Sequence, residues 1–347
     1  MNVIFFCRYF YPHIGGVERH VYEVSKRLQK RGWTVTVIAE KHDPKLKERE
    51  IYEGITIFRI PITQDEKRKK YQIWDWLFKN RKILIDADLV HCHDVFYWYL
   101  PFRFMFPLKK VYTTFHGYEG DSIPANRAIF MHKLAELLSY GNICIGEYLK
   151  KWYKTKTKIV SYGAVVLPKF KDQVIRKKIR EIVFVGRLDP ETGILHYLES
   201  LNILKLQGFL PHMSVLGDGV LAEQAKTFVR KHRLNVTFFG FVANTNEFLD
   251  RADCVFTSRF LGILESFSHK KNVFALYNNK IHRDYLQLSP FSKWVGIFGN
   301  ETEMSDALKV LIEHPHMNDE KIEHAYSWVK DQSWDKIAKT YLSLWKL

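Results

Sequence analysis

At 347 residues the chain exceeds the usual size of a single hydrophobic core, which predicts two domains. Its 46% hydrophobic and 26% charged residues fit a soluble globular protein, and no apolar run approaches the roughly 20 residues needed to cross a bilayer, so disordered and membrane-spanning classes are excluded. The net charge of +15 is concentrated early: residues 1–165 carry 28 Lys and Arg against 17 Asp and Glu, and the candidate partners are nucleic acid, an anionic membrane surface or a phosphorylated small molecule.

The first apolar run, Val3–Cys7, reads as a strand with no basic leader before it, so no export is expected. Gly15-Gly16 precede a helix over 17–31, where Val17, Val21, Val24 and Leu28 recur at helical spacing until Gly32 ends it. Strands follow at Thr34–Ala39 and Ile55–Ile60. The run Lys67-Arg68-Lys69-Lys70 then leads into Tyr71, Ile73, Trp74, Trp76, Leu77 and Phe78. Such cations among interfacial aromatics suit a membrane surface, while a solvated loop before a core helix is the alternative. Leu89–His93, Val111–His116 and Asn142–Ile145 continue the strands with helical segments between them, which predicts a parallel sheet.

Residues 166–180 read as a linker. Beyond it the scheme repeats, with strands at Ile182–Val185, Met213–Leu216, Val236–Phe239, Cys254–Thr257, Val273–Tyr277 and Trp294–Phe298, and a helical aromatic segment over Ile322–Leu347. The expected division is 1–165, 166–325 and a terminal helix 326–347 able to cross back to the first domain. Cys7, Cys92, Cys144 and Cys254 lie far apart in or beside apolar runs, as buried free thiols do in a reduced, cytosolic compartment. No C-x-x-C pair offers a zinc site.

Several positions carry chemistry. A strand entering Gly186-Arg187-Leu188-Asp189-Pro190-Glu191-Thr192-Gly193 predicts a helix-opening anion site, with Arg187 able to fork onto phosphate oxygens or to serve as a surface salt bridge. Gly15 and Gly16 make a similar start, or an ordinary loop. Glu265 stands in a helix start with its carboxylate free of the apolar flank. Gly217-Asp218-Gly219 and Gly240-Phe241-Val242 are loops at strand ends. His91 and His93 share one strand face, followed by Asp94, and metal ligation there is the minor reading.

The segments YPHIGGVERHVYEVSKRLQKRGWTVTVIA (11–39), HCHD (91–94), TFHG (114–117), SYG (161–163), GRLDPETG (186–193), GDG (217–219), FFGFV (238–242) and ILESF (263–267) occur in this order. Together they resemble glycosyltransferase family 4, retaining enzymes of the GT-B fold. The resemblance spans essentially the whole chain and implies two Rossmann-like domains facing each other across a cleft, the first binding acceptor and the second a nucleotide-sugar. It assigns Gly15, Gly16, Arg187, Gly217, Gly219, Gly240, Val242 and Glu265 to the donor. Glu265 receives the ribose hydroxyls and His116 stands beside the transferred sugar, while Asp94 and Glu119 are weaker acceptor-side candidates. It also implies no metal and no cofactor beyond the nucleotide-diphosphate sugar. It further implies transfer by front-face attack, with the leaving phosphate helping to take the acceptor proton, so that no carboxylate nucleophile is required.

Two departures from the family stand out. Thr192 replaces a lysine that shares the diphosphate charge, and the loop before Glu265 is short and lacks a first glutamate. Arg259 and the N–H groups near Gly262 are the candidate replacements. The expected function is a retaining glycosyltransferase acting on a lipid-linked or polysaccharide acceptor, peripheral on the cytoplasmic face of a membrane. A GT-B protein that binds nucleotide or glycan without transfer, and sugar-nucleotide epimerase or phosphorylase chemistry, are the alternatives. Nucleic-acid binding is not expected, because the basic residues are dispersed and no reader module is present.

Overall fold

The computed structural model describes residues 1–63, 65–117, 123–168 and 179–346. Two compact units emerge. The first comprises Met1–Glu119, Pro124–Ser161 and Trp334–Leu347, and the second Gly120–Ile123 and Tyr162–Ser333. Most of the expected linker, 169–178, and Glu119 lie outside the described residues.

The first unit is built on eight strands: β1 (Asn2–Phe6), β2 (Thr34–Glu40), β3 (Arg49–Tyr52), β4 (Ile55–Ile60), β5 (Leu89–His93), β6 (Lys110–Phe115), β7 (Gly141–Ile145) and β8 (Ile159–Ser161). Their order is β3-β4-β2-β1-β5-β6-β7-β8, with every pair parallel except β3–β4. Val3, Ile4, Phe5 and Phe6 are all buried, because a central parallel strand is covered on both faces and therefore needs an unbroken apolar run. The helix Gly16–Gln29 buries Val21, Val24 and Leu28.

The second unit carries β9 (Glu181–Val185), β10 (His212–Leu216), β11 (Val236–Gly240), β12 (Cys254–Phe256), β13 (Asn272–Leu276) and β14 (Gly296–Phe298). These form a parallel sheet in the order β11-β10-β9-β12-β13-β14. One core cluster joins Ile182, Phe184, Tyr197, Leu201, Met213 and Phe256; a smaller one joins Val183, Leu216, Leu249, Ala252 and Val255.

Both sheets reverse their strand order at a central pair, β1/β5 in the first and β9/β12 in the second. Ligands of open α/β sheets bind beyond the carboxyl ends of strands at such a switch point. That rule selects the loops after β1 and β5, where Gly15 and Asp94 lie, and the loops after β9 and β12, where Arg187 and Arg259 lie.

Four local differences from the sequence reading have physical causes. The strand β3 was not foreseen: it is an exposed antiparallel edge joined to β4 by Glu53-Gly54, both at positive φ as a two-residue hairpin demands. Pro190 opens a single 3₁₀ turn, Pro190–Thr192, and the α-helix begins only at Ile194 after Gly193 turns left-handed at φ 75°. Trp294 belongs to another 3₁₀ turn, leaving the strand as Gly296–Phe298. The terminal aromatic segment is two helices, Asp319–Val329 in the second unit and Trp334–Leu344 in the first.

Candidate active site

In the second unit, the loop after β9 is fastened to its neighbours by backbone bonds from Gly186 N to Leu216 O and from Leu188 N to Asp218 O. A β-carbon on Gly217 would overlap the Gly186 carbonyl oxygen, so glycine is required for the loops after β9 and β10 to meet. Gly219 packs against Leu188 and Asp189, Gly240 is left-handed at φ 68°, and Val242 packs on the smaller core cluster. The structure thus gives these loop residues a packing role alongside the nucleoside contact that the resemblance implies.

Arg187 stands at the β9 edge with its side chain 62% exposed, and its guanidinium is held by Asp189 Oδ2 at 3.1 Å and Glu191 Oε1 at 2.8 Å. Thr192 is only 4% exposed. Its hydroxyl lies 2.5 Å from the Arg187 carbonyl and 2.8 Å from the Asp189 carbonyl, and it completes a capping box with Asp189. Where the family has a cation, this chain has a buried cap.

The second cation comes from another strand. Arg259 precedes the helix Phe260–Ser268, and its Nη2 approaches the Glu191 carbonyl at 3.5 Å, so Arg187 and Arg259 converge on one turn. Supporting this loop are residues that the sequence reading missed. Tyr285 accepts the Phe260 N–H on its hydroxyl at 2.8 Å, and its ring lies 6.0 Å from the Arg259 guanidinium. Burial, and then the neighbouring Arg259, hold the His282 imidazole down to about 3. The sequence reading named neither residue; the structure places both on the helix Lys280–Gln287, just beyond the carboxyl end of β13.

Gly262 is needed because a β-carbon there would overlap Thr257 Oγ1, and the N–H groups of Leu261 and Gly262 lie at the open end of the helix. Glu265 is the sixth residue of that helix, half-buried between buried Leu264 and Ser266, rather than in its first turn.

In the first unit, Gly15 is the N-cap of the helix Gly16–Gln29, and the nearest anion is internal. The buried Glu18 carboxylate folds back onto Gly15 and meets His13 Nδ1 at 3.1 Å. A phosphate approaching that terminus shares it with Glu18.

His116 follows β6 and is partly exposed. It belongs to a block of four imidazoles with His20, His91 and His93. His93 Nδ1 lies 2.8 Å from His116 Nε2, and the His20 ring meets His116 edge-on at 4.8 Å. Asp94, at φ 62°, accepts the His116 backbone N–H at 2.8 Å. It therefore braces His116, whatever its part toward acceptor. Both His91 nitrogens are engaged, Nε2 with Thr114 Oγ1 and Nδ1 with Trp345 Nε1, which leaves none for a metal. The sequence reading had not placed His20, Tyr341 or Trp345 here.

Burial depresses all four imidazoles: His20 to about 3, and His91, His93 and His116 well below the ordinary 6.5, with the neighbouring histidines adding to the effect on the last three. Because the unfolded chain takes up these protons near 6.5 and the folded chain does not, this contribution to stability is complete above 6.5 and is lost as pH falls below it, for His20 down to about 3. Each group accounts for up to about 1.4 kcal/mol per pH unit in that window. The expected result is a melting temperature that is flat from pH 8 to 7 and drops steeply between 6.5 and 5, measured by calorimetry.

Comparison with known proteins fits this architecture. Residues 14–160 match the model for Glycosyltransferase Family 4, and residues 167–328 the model for Glycosyl transferases group 1. The phosphatidylinositol N-acetylglucosaminyltransferase GPI3 subunit of Saccharomyces cerevisiae is 24% identical over 216 residues, covering 55% of this chain and 47% of the relative. The GDP-mannose:cellobiosyl-diphosphopolyprenol alpha-mannosyltransferase of Xanthomonas campestris is 26% identical over 219 residues, covering 58% and 56%. The matched region thus spans about half the length of these relatives. Anabaena Alr3699/HepE, solved with UDP and glucose, superposes with a TM-score of 0.70 at 13% identity over 98% of each chain. With two such sheets and both family models matched in order, the chain belongs to glycosyltransferase family 4 and has the GT-B fold.

Proposed function

We propose that the protein transfers a sugar, with retention and without a metal, from a nucleotide-diphosphate donor to the hydroxyl of a lipid-linked or polysaccharide acceptor. The observation that carries this reading is the convergence of Arg187 and Arg259 on the Glu191 turn at the switch point of the second sheet. Departure of the nucleotide concentrates negative charge on the diphosphate, and two preorganised guanidinium groups favour that state over the ground state. Glu265 is the proposed ribose acceptor. The named acceptors of the yeast and Xanthomonas relatives, phosphatidylinositol and a diphosphopolyprenol, favour a lipid-linked acceptor here.

Surface chemistry supports docking on the cytoplasmic face of a membrane. No helix among the described residues is long and apolar enough to cross one. The helix Asn126–Leu138 is largely apolar yet buries only Ala135, exposing Phe130 and Leu137, with Arg127 on the same element. Arg103 Nε donates to the Leu138 carbonyl, and its guanidinium covers the exposed Tyr140. The segment first read as interfacial is divided: Ile73 and Leu77 enter the core and Trp74 donates to the Tyr97 carbonyl, while Tyr71 and Phe78 stay exposed. Binding to vesicles containing anionic lipid should weaken with salt, and Leu137→Asp should weaken it further. Equal binding to neutral vesicles would count against the membrane reading.

Thermal shifts and nucleotide release with UDP-, GDP- and ADP-sugars test the donor reading. Slow release of nucleotide and free sugar without acceptor is the expected result. Tight nucleotide binding with no turnover would favour the binding-only alternative, for which the buried Thr192 is the supporting observation. Two variants separate the cations. Arg259→Ala should weaken donor binding about tenfold if it replaces the missing lysine, and unchanged affinity would end that idea. Glu191→Gln should strengthen donor binding by about 2–5-fold, since it releases Arg187 from a competing carboxylate.

A further inference from the structure

The directions of the hydrogen bonds among the four imidazoles follow from one group that can only donate. Trp345 Nε1–H donates to His91 Nδ1 at 3.1 Å, so neutral His91 carries its proton on Nε2 and passes it toward Thr114 Oγ1 at 2.7 Å. Thr114 then donates to the Tyr341 hydroxyl at 2.8 Å, and Tyr341 donates to His20 Nε2 at 2.9 Å. His91 has used both nitrogens and His20 accepts at Nε2. His20 meets His116 only through an edge-to-face ring contact.

Among the described residues, the hydrogen bond to the His116 ring is the one it shares with His93. His93 is 1% exposed, and among the described residues its Nε2 has no hydrogen-bond partner. If His93 accepted at Nδ1, its own proton would sit on Nε2 as a buried N–H with nothing to receive it. If His93 donates from Nδ1, the orphan is a lone pair. Among backbone groups an orphaned buried N–H is rarer than an under-satisfied acceptor, and we extend that preference to the imidazole. Asp94 Oδ1 fixes the backbone of the same residue, so His116 is held at two points.

We propose that His93 is the positioning residue for His116: it donates Nδ1–H to His116 Nε2, so that His116 carries its proton on Nδ1 and meets its ligand as a neutral hydrogen-bond donor, not as a base. The ligand atom it suits is an oxygen acceptor, a sugar hydroxyl or a phosphate oxygen. This rests on the reading of His116 as the sugar-side residue. It also gives the C-terminal segment a part in the site, because Tyr341 on the helix Trp334–Leu344 and Trp345 just beyond it occupy nitrogens of His20 and His91 that would otherwise compete for His93 and His116.

Histidine-selective ¹⁵N labelling of the full chain reads the tautomers directly. The expected result at pH 7.5 is a protonated Nδ1 and a bare Nε2 on His116; the opposite tautomer overturns the proposal. His93→Leu should erase that preference and lower kcat/KM for nucleotide release from UDP-N-acetylglucosamine or GDP-mannose, whichever is turned over, by about tenfold. His93→Asn, whose Nδ2–H replaces the lost donor, should restore the tautomer and keep kcat/KM within about threefold of the parent. Equal losses in both variants with an unchanged His116 tautomer also overturn it. Absence of turnover with every donor counts against the transferase reading alone, since the tautomer measurement still decides the role of His93.

Discussion

Arg187→Ala should lower kcat for sugar transfer by about 10²–10³-fold, or about 3–4 kcal/mol, while leaving the fold intact. The fold survives because the side chain is largely exposed and packs into no core cluster. The rate should fall because, in the proposed reaction, the guanidinium at the switch point of the parallel sheet receives the charge of the leaving diphosphate. Its loss also uncovers Asp189 and Glu191, which then face the diphosphate as bare carboxylates. Arg187→Lys keeps the charge and loses the fork, so an intermediate loss of about tenfold is expected. The check is kcat at saturating donor beside the melting temperature of each variant. Activity of Arg187→Ala within about threefold of the parent would move the diphosphate role to Arg259.

The central strands were legible because a strand buried on both faces must be an unbroken apolar run, as Val3–Phe6 and Ile182–Val185 are. The edge strand β3 escaped because its residues are mostly exposed and carry no such run. Arg187 was legible from its strand-loop context. Its meeting with Arg259 was not, because it depends on β9 and β12 being neighbours although 68 residues separate Glu191 from Arg259. The same limit applies to the histidine block. Period-two alternation put His91 and His93 on one face, but His20 joins them from the helix Gly16–Gln29 and Tyr341 from the other end of the chain. Thr192 was legible only as a missing lysine. Its use as a buried cap required seeing the 3₁₀ turn that it closes.

Trp345→Ala should be strongly destabilising, costing about 3–5 kcal/mol. Trp345 is fully buried. Its ring lies 5.2 Å from Trp33 and 5.7 Å from Tyr341, and its N–H is the donor that starts the chain through His91. Removing it opens a cavity under the first sheet and leaves His91 Nδ1 buried without a donor. Trp345→Phe keeps much of the packing and loses only the N–H, so about 1–3 kcal/mol is expected from the unsatisfied nitrogen. At roughly 2–4 °C per kcal/mol for a unit of this size, the alanine variant should melt about 6–20 °C lower. Deletion from Trp334 onward removes Ile337, Ala338 and Tyr341 as well, all buried, and the first unit should then fail to fold. Calorimetry and urea titration of the three variants supply the check: a loss in Trp345→Phe equal to that in Trp345→Ala would assign the effect to the hydrogen bond, and no loss in either would remove the terminal helix from the core of the first unit.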